Sequence, residues 1–480
     1  MKLFLIIAVL ILGFSLRTFA QGDKYVKNIY ELDLNIKSTD SSAIAIFPVF
    51  NFQYFSEPRK NHFINVRGAG LQFNSGGLEI YSSFYDVQVN NISGNVSDST
   101  LFGLNYVRFK GSGEAFQPGS ANRIDFDDAN AYLKYKSKLG TFFYGKYLYK
   151  SGSSFKNDLL FNSTSGTFPH FSYTFQNEFL MYHFMYGFLK DFQRYKVLTD
   201  KSLIYHRLEI YLFSNFSFYG YEAIVQKTHS IKLEYMNPLL FFRSADHYNF
   251  SPDNALMGFG IQNKSENSRS YFEILIDDMD VGKLGTGWFR NKTAGLIGTE
   301  LNYSFSDFKV QSVLESNWVM SFTFSHRESE LNLTQYGTPL GPELGPNSLK
   351  IGFYNTVEHS LFPIEITLNY EFLAKGISDK LTNIGDDIAI GHPDNLNSTQ
   401  SKSNEKFAYY PKLLDGKKIF AHRFMLGLDY KWKGISFEAE VNYYANDFFV
   451  PHIQIEKGFY LSLGMKYRFE FFDKLRPEFW

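Results

Sequence analysis

The segment 459–471, FYLSLGMKYRFEF, decides the fold class because its side chains alternate between two chemically different faces. One face is formed by Phe459, Leu461, Leu463, Met465, Tyr467, Phe469 and Phe471. The other face is formed by Tyr460, Ser462, Gly464, Lys466, Arg468 and Glu470. A period of two predicts a β-strand. The first face is too apolar for water and the second too polar for a dry core, so we expect lipid on one side and a polar lumen on the other.

The same alternation recurs along the chain, in residues 207–212 (RLEIYL), 364–372 (IEITLNYEF) and 435–443 (ISFEAEVNY). Repeated strands of about 10 residues favour a bilayer-spanning barrel over a soluble sandwich. No strong amphipathic helix interrupts the series. The pattern predicts an all-β domain over residues 21–480. We expect an antiparallel transmembrane β-barrel of about 18 strands, with short periplasmic turns and long extracellular loops.

The orientation follows from the chain end, because the last strand of such a barrel should finish in the periplasm. Counting back from it places periplasmic turns at residues 433–434, 306–307 and 263–268. The alternate connections are then extracellular, and they are the long ones: residues 374–421, 327–348, 277–292 and 241–254. We count about 12 strands from residue 202 onward and about 6 before it, which gives the even total that single-chain barrels require.

The N-terminus has the three parts of a secretory signal peptide. Lys2 supplies the positive charge, Leu3–Leu12 is an unbroken apolar run, and Ala20 places a small residue where the peptidase needs one. The apolar run is short for a helix that spans a membrane. We therefore expect residues 1–20 to be cleaved off during export to the outer membrane. Residues 21–45 are then a periplasmic N-terminal segment.

Composition excludes several function classes. The chain has 48 basic and 49 acidic residues, and this balance gives no electrostatic reason to expect nucleic acid as a partner. Cysteine is absent, which excludes disulfides and cysteine metal sites. The aromatic share of 19% suits the aromatic girdles of a membrane barrel. Neither a Gly-x-Ser-x-Gly elbow nor a His-Glu-x-x-His motif occurs, so we expect no enzyme and no cofactor, with an outer-membrane hydrolase as the weakest alternative.

Ordered fragments in the middle third of the chain resemble the capsule-assembly Wzi family of outer-membrane proteins. The fragments are His206-Arg207-Leu208-Glu209, Gly220-Tyr221-Glu222, Tyr235-Met236-Asn237-Pro238, residues 272–278 (FEILIDD) followed by Lys283, and residues 336–341 (YGTPLG) followed by residues 345–348 (GPNS). Their order and approximate spacing are also similar to the family.

The resemblance implies an 18-stranded barrel with lectin-like behaviour that holds surface polysaccharide and helps to assemble a capsule. The implied partners are capsular or extracellular polysaccharide and the lipid and lipopolysaccharide of the outer membrane. The terminal aromatic residue, Trp480, resembles the signal that the barrel-assembly machinery reads. Family members also carry a helical bundle at the periplasmic end, but residues 21–60 of this chain have no helical pattern.

Two extracellular loops contain aromatic and planar polar residues that suit sugar recognition. A pyranose offers apolar C–H faces to an aromatic ring and a belt of hydroxyls to hydrogen-bonding groups. We expect polysaccharide contacts from Arg243, Asp246, His247 and Tyr248 in one loop, and from Tyr409 and Tyr410 in another. An ordinary polar loop is the alternative.

Asp277 and Asp278 end a strand at the predicted outer rim, and Asp280 follows them. These carboxylates suit sugar hydroxyls or a hard cation such as Ca²⁺, although the spacing lacks the glycine-containing frame of a calcium loop. A structural alternative is that Asp277 and Asp278 bond to Lys283, Arg290 or loop backbone and hold the rim. We predict no metal site.

Charged residues on the predicted lumen face are Arg207, Glu209 and Glu273. We expect them to form an ion-pair network that replaces an apolar core. His206 should point the other way, near the periplasmic boundary. A strongly charged lumen also leaves open a second function, a porin-like channel or substrate-specific transporter.

Overall fold

The computed structural model describes the residues in which the predicted barrel lies. They are residues 43–56, 58, 61–90, 106–109, 113–116, 123–150, 152–161, 167–192, 198–213, 215–227, 233–237, 240, 242, 253–335, 338–379, 382–388, 406–407, 410–432, 435–450 and 453–468. The predicted signal peptide and residues 21–42 lie outside them. The first strand begins at Ala43, three residues inside the segment 21–45 that the sequence assigned to the periplasm.

Eighteen long strands form the wall in the part of the chain that the structure describes. They are β1 (Ala43–Ser56), β2 (Asn61–Ser75), β3 (Leu78–Asn90), β4 (Arg123–Ser137), β5 (Gly140–Tyr147), β6 (Phe168–Gln176), β7 (Leu180–Phe192), β8 (Leu198–Tyr211), β9 (Phe216–Lys227), β10 (Asn254–Lys264), β11 (Ser268–Asp278), β12 (Lys292–Phe305), β13 (Phe308–Val319), β14 (Ser348–His359), β15 (Ile364–Ile377), β16 (Lys417–Trp432), β17 (Ile435–Tyr444) and β18 (Gly458–Arg468).

The strands close into a barrel because the first pairs with the last. Each strand is antiparallel to its neighbours in the sequence, and β1 pairs with β18 from Val49 opposite Arg468 to Ser56 opposite Leu461. The predicted fold, an antiparallel barrel of 18 strands, is confirmed. The total of 18 strands is as predicted. Seven strands precede β8, where about 6 were expected, and eleven begin at or after Leu198, where about 12 were expected.

The connections at one end of the barrel are all short, whereas most of those at the other end are long. Eight turns of two to four residues lie at one end, and they are residues 76–77, 138–139, 177–179, 212–215, 265–267, 306–307, 360–363 and 433–434. All three predicted periplasmic turns are among them, and the four predicted extracellular loops leave from the opposite end. Short turns mark the periplasmic end of outer-membrane barrels, so we call the two ends periplasmic and outer. Gly76 and Gly77, with φ of 54° and 86°, adopt the left-handed pair of angles that a two-residue hairpin requires.

Each strand presents an apolar face outward and a mixed face to the lumen. In β8, Leu208 and Ile210 are 45% and 40% exposed on the outside, whereas the alternating Arg207 and Glu209 are buried in the lumen. A barrel in water would bury the leucine and expose the charges. The observed arrangement therefore requires an apolar medium around the wall.

The remaining short elements all belong to connections at the outer end. They are the 3₁₀ helices Leu233–Met236, Val281–Lys283 and Ser329–Leu331, and the paired short strands Tyr106–Phe109 with Gly113–Phe116, Thr334–Gln335 with Thr338–Pro339, Thr382–Asn383 with Lys406–Phe407, and Phe448–Val450 with Ile453–Ile455. Among the described residues, no helix is long and apolar enough to cross a membrane.

Candidate functional site

One outer connection folds into the lumen and crosses it. We call residues 152–161 the crossing segment. Its backbone meets the lumen wall at Glu315 of β13, whose carboxylate accepts hydrogen bonds from the N–H of Phe155 at 2.8 Å and of Lys156 at 3.3 Å. The side-chain amide of Asn157 donates a third at 2.6 Å, and the Tyr271 hydroxyl donates a fourth. Glu315 is fully buried, so these four donors satisfy a charge that has no contact with water.

The crossing segment also fills the outer half of the lumen with apolar side chains. Leu159, Leu160 and Phe161 are buried in one cluster with lumen-facing residues of the wall and with other inward-folded loops. The wall members include Tyr205, and the Phe161 and Tyr205 rings meet edge to face at 5.2 Å. Such a cluster is a packed core rather than a pore.

Asp158 of the crossing segment is buried beside other carboxylates. The pKa of Asp158 is raised to about 7, mainly by burial and to a smaller extent by the nearby charges of Glu273 and Glu315, against the lowering effects of Lys150 and of a 2.7 Å hydrogen bond from Ser154. The carboxyl group is therefore half protonated near neutral pH. The seating of this segment becomes sensitive to pH.

A second inward segment, residues 321–325, is held by Asp277. The Asp277 Oδ2 atom accepts a 2.7 Å hydrogen bond from the N–H of Phe324 and lies 3.3 Å from Lys292 Nζ. Lys292 also donates to the carbonyl oxygen of Ser325 at 3.0 Å. The Asp277 side chain is fully buried, so it faces the lumen and does not reach an extracellular polysaccharide. It performs the structural role that the sequence left open. Its loop-backbone partner, the N–H of Phe324, agrees with that alternative, whereas Lys292 takes the place of Lys283 and Arg290.

The two following carboxylates organise their own loop. Asp278 Oδ1 accepts from the N–H of Met279 at 2.9 Å, next to an irregularity in the β11–β12 pairing. Asp280 Oδ1 accepts from the N–H of Gly282 at 3.1 Å and caps the 3₁₀ helix Val281–Lys283. In the described part of the chain, no group of three or more His, Cys, Asp or Glu side chains is arranged to hold a metal ion.

The predicted lumen residues lie together on the inner wall. Arg207 donates to Glu209 at 2.7 Å and to Ser153 of the crossing segment at 3.3 Å. The Arg207 guanidinium also lies 3.8 Å above the Tyr219 ring, and the Tyr219 hydroxyl donates to Glu273 at 2.7 Å. The three predicted residues are thus joined through Tyr219, which the sequence analysis did not single out.

Two glycines make room for the tyrosines of this network. A Cβ added at Gly258 would meet the Tyr221 ring at 2.1 Å, and one at Gly260 would meet the Tyr219 ring at 2.1 Å. Both rings therefore lie flat against strand β10, and the Tyr221 hydroxyl reaches Glu273 at 2.7 Å, as that of Tyr219 does. Any larger residue at either glycine would lift a tyrosine away from Glu273.

A second network of charged residues, not predicted from the sequence, lies in the lumen around Glu371. Glu371 of β15 lies 3.2 Å from Lys350 Nζ and 2.8 Å from Arg423 Nη1, and Lys350 also lies 2.6 Å from Glu343. Lys156 of the crossing segment is 4.0 Å from Glu371. The period-two pattern of the sequence places Glu371 on the lumen face. It does not show which charged residues of distant strands form ion pairs with Glu371.

Ion pairs on the lumen face differ in their exposure. Three pairs near the short turns keep 12% to 43% of each side chain exposed. These pairs are Glu79–Lys134, Arg269–Glu300 and Glu438–Lys466. In the outer half, by contrast, the side chains of Lys292 and Asp277 are 2% and 0% exposed. The Arg207–Glu209 pair, with side chains 5% and 7% exposed, also lies near a short turn, so dense packing in the described part of the lumen is not confined to its outer half.

The outside of the wall carries a polar pair where lipid is expected. His206 points outward, as predicted, and its Nε2 lies 3.2 Å from Glu222 Oε2. The Phe242 ring stacks on the His206 imidazole at 4.3 Å and the Phe242 N–H donates to Glu222 at 2.8 Å. Tyr235 is buried in the same cluster. An outer connection therefore folds down over the wall and covers His206.

The outer mouth holds one of the predicted sugar-binding residues on its surface. Tyr410 is 58% exposed and its ring lies 5.5 Å from that of Trp288. Lys283 Nζ lies 3.5 Å above the Trp288 ring. The other predicted loop residues, Arg243, Asp246, His247, Tyr248 and Tyr409, lie outside the described residues.

Solved structures similar to this chain are outer-membrane barrels. Wzi of Escherichia coli, an outer-membrane protein involved in group 1 capsule assembly and described as a carbohydrate-binding β-barrel, matches with a TM-score of 0.53 at 12% identity, over 95% of this chain and 90% of Wzi. OccD3 of Pseudomonas aeruginosa matches with a TM-score of 0.48 at 8% identity, over 94% of this chain and 99% of OccD3. OprD of the same organism matches with a TM-score of 0.43 at 8% identity, over 91% and 99%.

No family model and no curated protein sequence matches the chain. At 12% identity the similarity to Wzi concerns the fold, and it agrees with the strand count and closure described above. The chain has the fold of an 18-stranded outer-membrane β-barrel.

Proposed function

We propose that this chain is exported to the outer membrane, where it binds a surface polysaccharide and helps to anchor or assemble a capsule or exopolysaccharide. The observation that carries the proposal is the pair of inward segments packed into the lumen. The crossing segment and residues 321–325 are tied to the wall by buried carboxylates, Glu315 and Asp277. Segments packed in this way brace the outer connections that would face a ligand, and they occupy space that a diffusion channel would need.

The Wzi-like fragments support the same proposal because several of them hold loops in place. His206, Glu222 and Tyr235 come from three separate fragments and meet on the outer wall. Asp277 comes from a fourth and holds an inward segment. The Wzi structure is described as carbohydrate-binding, and we extend that activity to this chain as part of the proposal.

Gene deletion in the encapsulated host tests this function. We expect cells without the protein to release polysaccharide into the medium, and complementation with the full chain to restore cell-attached polysaccharide. If the deletion strain keeps a normal amount of attached polysaccharide, the proposal is wrong. Purified protein is not expected to hydrolyse phospholipids or esters, because we propose binding and no catalysis.

A diffusion channel is the second candidate, favoured by the partly exposed ion pairs of the periplasmic half such as Glu79–Lys134. Conductance in planar bilayers separates the two functions. We expect at most brief, small openings from the full chain. Large steady currents would favour the channel, because they require the outer half of the lumen to be open.

Export itself also belongs to the proposal. We expect the barrel-assembly machinery to insert the mature chain among lipopolysaccharide and lipid, and N-terminal sequencing of the membrane form to begin at Gln21. A protein that retains Met1 in the outer-membrane fraction would contradict cleavage.

A further inference from the structure

Two outer connections meet over the mouth of the barrel. Residues 279–291 join β11 to β12, and residues 410–416 are the last part of the connection from β15 to β16. Strands β13 and β14 therefore lie between the two connections in the wall. The connections touch through the Trp288 and Tyr410 rings, 5.5 Å apart at an angle of 58°. Because they bridge strands that are not neighbours, this contact lies over part of the mouth and not on the lipid-facing wall. We call Lys283, Trp288 and Tyr410 the rim platform.

The rim platform is braced from below. Trp288 packs edge to face on Phe289 at 4.7 Å, and Phe289 packs in the same way on Phe322 at 5.8 Å. Phe322 is fully buried in the inward segment 321–325 that Asp277 holds. Trp288 therefore rests on the inward segment 321–325, and this packing restricts its ring before any ligand arrives, which lowers the entropy cost of binding.

The backbone of the lysine is fixed as well. The Lys283 carbonyl oxygen accepts a 2.7 Å hydrogen bond from the Thr286 hydroxyl and a 2.9 Å hydrogen bond from the Asn291 side chain. Its ammonium group lies 3.5 Å above the Trp288 ring, which is a cation–π contact. A cation is thus held beside an exposed tyrosine.

The charge around the platform is positive although the whole chain is close to neutral. Residues 279–291 and 410–416 contain three basic side chains, Lys283, Arg290 and Lys412, and two acidic ones, Asp280 and Asp415. The strand residues that flank them include an acidic residue, Asp278 of β11, and a basic one, Lys417 of β16. Asp280 and Asp415 are engaged by their own loops, with Gly282 and Gly416 N–H groups as donors. Lys412 and Lys417 are exposed, and neither side chain has a hydrogen-bond or ion-pair partner among the described residues.

We infer that the rim platform binds an acidic polysaccharide, and this inference rests on the proposed function. The exposed ring of Tyr410 stacks on the C–H face of a pyranose, and Lys283 and Lys412 meet the carboxylate of a uronic acid. A neutral glycan would use the ring but would leave the cations without partners. The platform thus favours uronic acid residues over neutral sugars.

The test uses the full mature chain in detergent, with a galacturonic acid oligomer and its carboxyl-reduced, neutral counterpart as probes in a calorimetric binding assay. Tyr410→Ala and Lys283→Gln should each weaken binding of the acidic oligomer roughly threefold to tenfold. Raising the salt concentration should weaken it further, because the charges are exposed to solvent. The control variants, Tyr303→Ala and Lys264→Gln, change exposed residues near the periplasmic turns and should bind as the unchanged chain does.

The outcomes separate the inference from the function on which it rests. If both oligomers bind equally and Lys283→Gln has no effect, the acidic preference is wrong while polysaccharide binding stands. If neither oligomer nor a surface polysaccharide extract binds, the proposed function fails as well. Vesicles containing lipopolysaccharide form a third arm. An effect of Lys283→Gln on vesicle binding alone would assign the platform to lipid phosphates and overturn the inference.

Discussion

A single buried carboxyl group, that of Asp158, makes the seating of the crossing segment depend on pH. Its pKa of about 7 in the folded protein is raised from an ordinary value of 3.8, so the protonated form is favoured by folding. The contribution of this group to loop seating is complete below about pH 4 and is lost as the pH rises through about 7, with a slope of at most about 1.4 kcal/mol per pH unit. We expect hydrogen exchange in residues 152–161 to quicken from pH 5 to pH 8, after correction for intrinsic rates.

Asp158→Asn is the matched variant, because it keeps the shape and the acceptor for Ser154 but cannot ionise. Its exchange in the crossing segment should not change between pH 5 and pH 8. Strand β12 in the same protein serves as the internal reference. An identical pH dependence in the variant and the unchanged chain would assign the effect to another group.

Phe242 protects a polar pair from hydrocarbon at the outer wall. Removing its ring leaves a cavity and exposes His206 and Glu222 to an apolar medium, where charged or polar groups without partners are costly. We expect Phe242→Ala to lower the free energy of unfolding in lipid vesicles by about 3–5 kcal/mol. Phe259→Ala, which removes a 43%-exposed ring from the lipid-facing surface, should cost clearly less. Equal losses in both variants would mean that Phe242 does not shield the pair.

The crossing segment is the element on which the closed mouth depends. Glu315→Ala would leave the Phe155 and Lys156 N–H groups and the Asn157 amide without their acceptor, at roughly 1–3 kcal/mol for each donor that stays buried. We expect the segment to leave its seat and to become a site of cleavage in limited proteolysis.

Glu300→Ala is the control for that element, since Glu300 also bonds to several lumen partners but lies near the periplasmic turns and contacts no inward loop in the described residues. The barrel of this variant should show no new cleavage at residues 152–161. Protection of the segment in Glu315→Ala would contradict the anchoring role of Glu315.

At the scale of the whole molecule, the barrel is closed by the pairing of β1 with β18. Gln53 lies in the middle of this pairing, opposite Gly464 on one side and Ile64 of β2 on the other. Gln53→Pro removes an N–H group from a strand with neighbours on both sides, where proline is not tolerated. We expect this variant to lose the folded, heat-modifiable band in cold gel electrophoresis. Gln53→Ala keeps the N–H group and should retain the band, and loss of the band in both would point to the side chain instead.

The sequence by itself determined the wall of the barrel. Alternation of side chains along segments such as 435–443 fixes which residues face lipid and which face the lumen, because a strand repeats every two residues and a register slip would reverse every side chain. The same periodicity put Arg207, Glu209 and Glu273 on one face, and the structure has all three there. Turn residues and connection lengths added the orientation. These are local properties, and local properties can be read from neighbouring residues.

Only the tertiary structure decided what fills the barrel and what its outer surface presents. Glu315 and the Phe155 N–H group that it accepts are 160 residues apart, and Tyr410 meets a tryptophan from a connection more than a hundred residues earlier. Asp277 looked like a surface ligand because it ends a strand at the rim, yet an inward loop covers it. Loop positions depend on the space and partners that the closed wall offers, and those exist only after distant strands have come together.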